Sequence, residues 1–282
     1  MNFARELWLR IETTHAVTYF GSETTDAGQQ LGMPGFWMGY FGFRAAPMGA
    51  VGSGVVEATF FNFAPSFVRR WVPQVWSVAG PATMIVARRD AAVATLRRLH
   101  PDVATVAQAV NATLEAAVNR AIAAGRPLFA ANRDLDLPDD PVERLWQLCT
   151  SLREHRGDGH VAALTAAGLD GLDAHVLIAA EQGSSPDDLQ RSRGWTADDW
   201  TVAVGRRTAR DQIDQTGQLT ESGRRIRQAI EKRTDELAAA PFEALTPAQR
   251  TELIDALDPL ARAISTSGTI RYPNPMGLPP IS

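Results

Sequence analysis

Six consecutive residues, His155-Arg156-Gly157-Asp158-Gly159-His160, place two imidazoles, a guanidinium and a carboxylate beside two glycines. Histidine beside aspartate is equipped for general acid–base work near neutral pH, and arginine for holding an anion. The same donors would suit a divalent metal, and a single axial histidine over an aromatic pocket would suit haem. Each glycine weakens a helix interior by roughly 1 kcal/mol relative to alanine, so both point to backbone held close to a ligand, a metal or a neighbouring helix. His155, Asp158 and His160 are therefore the candidate catalytic residues. On an unbroken helix His155 and Asp158 are neighbours at i,i+3, and Arg156 and His160 at i,i+4, but His155 and His160 point about 140° apart. A shared metal needs the glycines to bend the chain, or a further imidazole such as that of His15.

The N-terminal segment supplies a second group. Trp8, Ile11, Glu12, His15 and Tyr19 recur at three- and four-residue steps on one helix face, where Glu12 could orient His15 and Tyr19 could donate a hydrogen bond. A satisfied polar contact between helices is the other reading of His15. Phe36, Trp37, Tyr40, Phe41 and Phe43 either line a cavity or fill a core. Arg44 follows them and can pair with a ligand carboxylate, with Asp158 or with Glu181. The expected ligand-binding residues are His15, Tyr19, Arg44 and Arg156, and the expected metal ligands His15, His155 and His160. There is no Walker loop, zincin motif or Rossmann fingerprint, and Gly49-Ala50-Val51-Gly52-Ser53-Gly54 lacks the strand and helix that would make it a phosphate cradle.

Composition narrows the classes. The 282 residues carry a formal charge of −4. Residues 1–140 hold 12 basic and 12 acidic side chains, and residues 141–282 hold 16 and 20, so neither half is a basic nucleic-acid footprint. Cys149 is the single cysteine, which excludes an internal disulfide and a cysteine metal cage. Arg5, Glu6, Arg10 and Glu12 interrupt any leader-like apolar run, and no span of about 20 apolar residues follows. A soluble, cytoplasmic protein without membrane contact is expected.

Short echoes at a separation of about 137 residues suggest an internal duplication. Leu7-Trp8 answers Leu145-Trp146, Gly32-Met33-Pro34-Gly35-Phe36 answers Gly168-Leu169-Asp170-Gly171-Leu172, and Arg69-Arg70 answers Arg206-Arg207. Both halves read as mainly α, with long helices over 91–124 broken near Pro101. In the second half a helix over 172–182 ends at Gly183, a capped helix starts at Ser185-Pro186, and Gly194 makes a turn. Thr196 caps a third helix, 214–220 suits a small wing, and long helices follow over 221–240 and 247–264. The expected fold is mainly α, with two pseudo-repeated winged-helix or helix-turn-helix-like modules packed through long helices. Its parts are a degenerate helix-turn-helix-like module over 1–126, a connector over 127–141, a winged-helix module over 142–268 and a proline-rich tail over 269–282, for which disorder is the simplest assumption. Such a chain is a monomeric pseudo-dimer or a homodimer.

Ser185-Pro186-x-x-Leu189, Arg193-Gly194-Trp195 and Gly217-x-Leu219-Thr220-x-x-Gly223-Arg224, with the closing amphipathic helix, resemble the winged-helix domain of MarR-type regulators. More narrowly the chain resembles an actinobacterial helix-turn-helix family. The likeness is carried by His15-Ala16-Val17-Thr18-Tyr19-Phe20, Arg44-Ala45-Ala46-Pro47, His155 to His160, and Arg193-Gly194-Trp195 with Trp200. It implies a fold and supplies no activity.

Two functions follow. The preferred one is a small-molecule, metal or haem pocket between modules on a repurposed winged-helix scaffold, with histidine as base and arginine as anion clamp if it is an enzyme. The alternative is a ligand-responsive regulator whose third helix meets DNA through Arg206, Arg207 and Arg210. Asp198 and Asp199 at the front of that helix and a wing without lysine or arginine serve DNA badly.

Overall fold

Asp140 opens the longest helix: its carboxylate accepts the main-chain N–H groups of Val142 and Glu143, and Pro141 occupies the first turn, where an N–H has no helical partner. In a computed structural model that describes residues 2–274 and 276–281, this helix, α10, runs unbroken over Pro141–Ala166 and through both glycines. Before it come α1 (Phe3–Phe20), α2 (Ser22–Gln30), α3 (Gly35–Ala45), α4 (Ser53–Phe60), α5 (Pro65–Trp71), α6 (Val75–Val78), α7 (Pro81–Leu99), α8 (Val103–Arg120) and α9 (Pro127–Arg133). After it come α11 (Gly171–Gln182), α12 (Pro186–Arg193), α13 (Ala197–Ala209), α14 (Glu221–Ala239) and α15 (Pro247–Thr266).

The main core joins both ends of the chain. Apolar stripes of α1, α7, α8, α10 and α15 meet around Leu7, Leu96, Leu114, Trp146 and Leu257. α1 packs on α15, α10 and α7; α10 packs on α8, α1 and α14; α8 also packs on α15. A second cluster gathers the aromatic side chains of α3 to α5 over Met84 of α7, and a third joins α11, α13 and α14 to the end of α10. The long helical stretch divides at His100 to Asp102, around the proline that marks a break in the sequence.

Three segments differ from expectation. The stretch 127–141 contains α9, whose Phe129 is fully buried against α10. The proline-rich tail is packed rather than disordered: Ile270, Leu278 and Ile281 enter the main core, and the Ile281 N–H donates to Ser265 Oγ at 2.9 Å. Apolar residues between the prolines outweigh the absence of a helix there. The stretch expected to form a small wing, 214–220, contributes only to one antiparallel bridge, Ile213 to Leu219, and no strand occurs among the described residues. No single helix among them is long and apolar enough to cross a membrane.

Candidate functional site

One face of α10 and the inner face of α3 enclose an apolar cleft. Arg153, Gly157, His160 and Val161 recur at three- and four-residue steps, so a single helix face presents them to the cleft, while Thr150 and Glu154 line a smaller chamber beside it. Opposite stand Phe36, Trp37, Tyr40 and Arg44 of α3, with Trp8, Glu12 and Tyr19 of α1. His175 of α11 and Arg193 of α12 close the far side, and Met276 of the tail forms part of the rim. The cleft holds about 360 Å³. An adjoining space of about 320 Å³ shares Trp8, Glu12, Arg153, Gly157, His160 and Met276 with it, and reaches Arg5, Arg156 and Arg227. A smaller chamber of about 40 Å³ lies on the other side of Tyr19 and Arg44.

A ladder of buried charges holds the wall. Arg44 donates to Glu154 through two nitrogens, Nε to Oε1 at 3.0 Å and Nη2 to Oε2 at 3.1 Å. Arg153 Nη1 stands 2.9 Å from Glu154 Oε2 as well, and Arg153 donates from Nε to Glu12 at 3.1 Å, while Glu12 also accepts from Trp8 Nε1. Burial alone would raise the Glu154 carboxyl, but Arg153 and Arg44 more than offset it and hold it well below the usual carboxylate range. Arg44 also lies 4.3 Å from the centre of the Phe60 ring. These cations are therefore fixed in place by the chain's own carboxylates.

Two histidines, His160 and His15, are each held in one tautomer by a threonine. The Thr234 hydroxyl donates to the Ile230 carbonyl, so its oxygen accepts from His160 Nδ1–H at 2.9 Å, and His160 Nε2 becomes an acceptor with no bond to another described residue. Thr150 likewise donates to the Trp146 carbonyl and accepts from His15 Nδ1–H at 3.0 Å, leaving His15 Nε2 to accept from Tyr19 Oη at 3.0 Å. Burial lowers His15 well below its ordinary value and pushes His160 down to about 4. His175, 2 % exposed, has no well-formed hydrogen bond at either ring nitrogen, and burial pushes it down to about 3.

The residues singled out in the sequence are dispersed over these spaces. His15 lines the small chamber, Tyr19 and Arg44 the chamber and the cleft, His160 the cleft and the adjoining space, and Arg156 the adjoining space alone. His155 and Asp158 line none of them. The His155 ring packs edge-on against Phe129, with centroids 5.0 Å apart, and Asp158 accepts the Phe129 N–H at 2.9 Å, capping the first turn of α9. A catalytic group of His155, Asp158 and His160 is thus not assembled, because an unbroken helix sends the first two to the opposite face. Among the described residues no group of three or more histidine, cysteine or acidic side chains can hold a metal. His15, His155 and His160 do not form a ligand set, and His15 could ligate a haem iron only by losing the bond from Tyr19 or the one to Thr150.

A family model described as a helix-turn-helix family matches residues 4–271, nearly the whole chain. The chain belongs to this helix-turn-helix family. No curated protein and no solved structure matches it.

The turn between α12 and α13 is docked on the segment before and within α5, while most of both helices stays exposed. Gly194 in the turn between α12 and α13 has φ +75° and sits directly on the Phe67 ring. The Ala64 N–H donates to the Arg193 carbonyl at 2.9 Å, and Trp195 Nε1 to the Asn62 carbonyl at 3.0 Å. Arg206 is bound to Asp170 and Asp173, the pair that caps α11, and Arg207, 1 % exposed, reaches Asp173 at 3.2 Å. Of the three arginines that would read DNA, Arg210 alone is both exposed and without an ion pair to a described residue. The outer face of α13 offers Asp198, Thr201, Gly205 and an exposed Val202.

Glu12, Arg153, Glu154, His175 and Arg193 were not foreseen as wall residues. For Arg153 and Glu154 the signal is periodic rather than contiguous: from Trp146, steps of four and three give Thr150, Arg153, Glu154, Gly157 and His160, a polar face inside a buried helix, whereas Glu12, His175 and Arg193 reach the site from α1, α11 and α12 and have no such signal.

Proposed function

We propose that this member of the helix-turn-helix family binds a small molecule in the cleft between α3, α10 and α12, and that the ligand is a planar, largely apolar monoanion. The observation that carries the reading is the cleft wall. Aromatic rings stand beside Arg44, Arg153 and Arg193, three cations set against two carboxylates, Glu12, which lines the cleft, and Glu154, which pairs with Arg44 and Arg153. A volume of about 360 Å³ lies in the range of sites that enclose small ligands. Low-dielectric walls strengthen the attraction of fixed guanidiniums for an anion, and neutral His160 offers Nε2 to a ligand hydroxyl or amide.

The pseudo-duplicated plan belongs to the same reading. α1, α7 and α8 exchange contacts with α10, α14 and α15: α1 rests on α15 as α10 rests on α8, and α1 meets α7 as α10 meets α14. This reciprocity supports a covalent pseudo-dimer of two modules, the second MarR-like in its order of α11, α12, α13, bridge and α14. The cleft then lies between modules, as an effector pocket or as an enzyme site with His160 as base. Residence in the cytoplasm fits either.

8-Anilinonaphthalene-1-sulfonate, an aromatic monoanion, tests the cleft. Saturable one-to-one binding, competed by benzoates and lost at least tenfold in Gly157→Leu, is expected; equal binding by Gly157→Leu and the wild type would remove the cleft as the site. The family description favours a second reading, DNA binding, through the exposed Arg210. Mobility shifts at low ionic strength are expected to give no complex, and a complex that weakens steeply with salt would reverse that preference.

A further inference from the structure

The small chamber behind Tyr19 and Arg44 holds donors that the chain does not use. Arg88 is 4 % exposed; Nη1 donates to the Phe43 carbonyl at 3.0 Å and Nη2 to Asn132 Oδ1 at 2.9 Å, both neutral acceptors. No carboxylate among the described residues pairs with it, and its Nε–H has no partner. The Trp146 ring, 5.4 Å beneath the Arg88 guanidinium, is fully buried, and its Nε1–H is also without a partner. Thr24 Oγ1 is a third buried polar atom with none. Arg88, Trp146 and Thr24 all line the same chamber.

The other lining groups do not neutralise it. Glu154 is divided between Arg44 and Arg153, and His15 is a neutral imidazole whose Nδ1–H is committed to Thr150. Burial pushes Arg88 down to about 10, with Tyr19 and Glu154 opposing the change. Water could satisfy the idle donors but brings no counter-charge, and a buried cation is stable only when paired. A space of about 40 Å³ exceeds one water yet is well below the volume of about 150 Å³ that admits a benzene ring.

We propose that this chamber is a binding site for a small monovalent anion, a halide or the carboxylate of a compact acid, held by the Arg88 guanidinium, the Trp146 indole N–H and the Thr24 hydroxyl. The site is distinct from the larger cleft and stands whatever occupies that cleft. Tyr19, Phe36, Tyr40 and Arg44 line both spaces and separate them.

Two measurements on the full chain test it. In thermal unfolding at constant ionic strength, replacing gluconate by bromide or by formate should raise the wild-type midpoint saturably by a few degrees. The rise should vanish in Arg88→Met and need several-fold more anion in Thr24→Val, which keeps the guanidinium and carries the test should Arg88→Met fail to fold. Crystals grown in bromide should give an anomalous peak beside Arg88. A response to bromide assigns a free halide, and a response to formate alone assigns a carboxylate. Ordered water alone in the chamber, with wild type and Thr24→Val responding alike to both anions, would overturn the proposal.

Discussion

Leu7-Trp8 and Leu145-Trp146 are the same dipeptide on two helices that pack together, yet their surroundings differ in one respect. Trp8 Nε1 donates to Glu12 one turn along, and the guanidiniums of Arg5 and Arg156, 5.2 and 4.8 Å from its ring centre, both pair with Asp235. One turn beyond Trp146 stands Thr150, whose hydroxyl is already engaged, and the guanidinium over that ring, Arg88, has no carboxylate. Around Trp8 the chain supplies every counter-charge itself. Around Trp146 it leaves one cation and one indole donor for something else to meet. Buried groups without partners are expensive, so the two regions should respond differently when a charge is removed from each.

The largest test of this contrast removes a counter-charge that the chain does supply. Glu154→Gln leaves Arg44 and Arg153 buried with their shared carboxylate gone, and unfolding in urea should register a loss of about 3–5 kcal/mol. A loss under about 1 kcal/mol would mean that the ladder of charges is not what stabilises the wall. Arg156→Met should lose about 1–3 kcal/mol, because Asp235 keeps Arg5 but loses its partner at 3.0 Å. Arg88→Met in gluconate buffer should fall below both, near about 1 kcal/mol: the bonds to Phe43 and Asn132 are lost, while an unpaired buried charge disappears with them. An order with Arg88→Met as the costliest would erase the distinction between the two tryptophan regions.

Acid should act on the same buried groups. His155, His160 and His175 are pushed by burial to about 3, 4 and 3 from 6.5, so the unfolded chain binds their protons first as pH falls below 6.5. Stability is then lost towards pH 4 with a slope of up to about 1.4 kcal/mol per pH unit for each histidine. Asp158 has the opposite sign. Burial pushes it up to about 7 from 3.8, so its contribution is present at low pH and is lost as pH rises through about 7. Urea midpoints between pH 6 and 4 should fall in the wild type, and fall more steeply in Asp158→Asn, where the opposing proton uptake is gone. An unchanged slope would show that Asp158 is ionised throughout.

Much of the fold was legible in the sequence because caps and apolar steps are local. Ser185-Pro186, Gly194 and Thr196 mark helix ends that the chain adopts, and the stripe Leu253, Leu257, Leu260 and Ile264 faces the core. The site was legible only in part. Reading 155–160 as a contiguous cluster joined residues that α10 places on different faces, so His155 and Asp158 were grouped with His160 although they serve α9. The pairing of Arg44 with Glu154, across 110 positions, has no local signature. Nor does the docking of the α12–α13 turn on Phe67, which depends on the mutual placement of distant segments.

The two glycines of α10 give the smallest effects and separate the readings most cleanly. A Cβ at position 157 would meet only Glu154 Oε2, at an ordinary 3.5 Å, whereas one at position 159 would lie 2.7 Å from Arg126 Nη1. Arg126 donates to the carbonyls of His155 and Leu237, so giving way there would loosen the contact between α10 and α14. Gly157→Ala should therefore stabilise the helix by about 0.5–1 kcal/mol. Gly159→Ala should lose that gain and about 1 kcal/mol of hydrogen bonding besides. Gly157 would then be retained for the open cleft it borders, at the expense of helix stability, and Gly159 for close packing. Equal stabilisation by both substitutions would leave neither glycine with a structural reason, and the cleft without its clearest mark in the sequence.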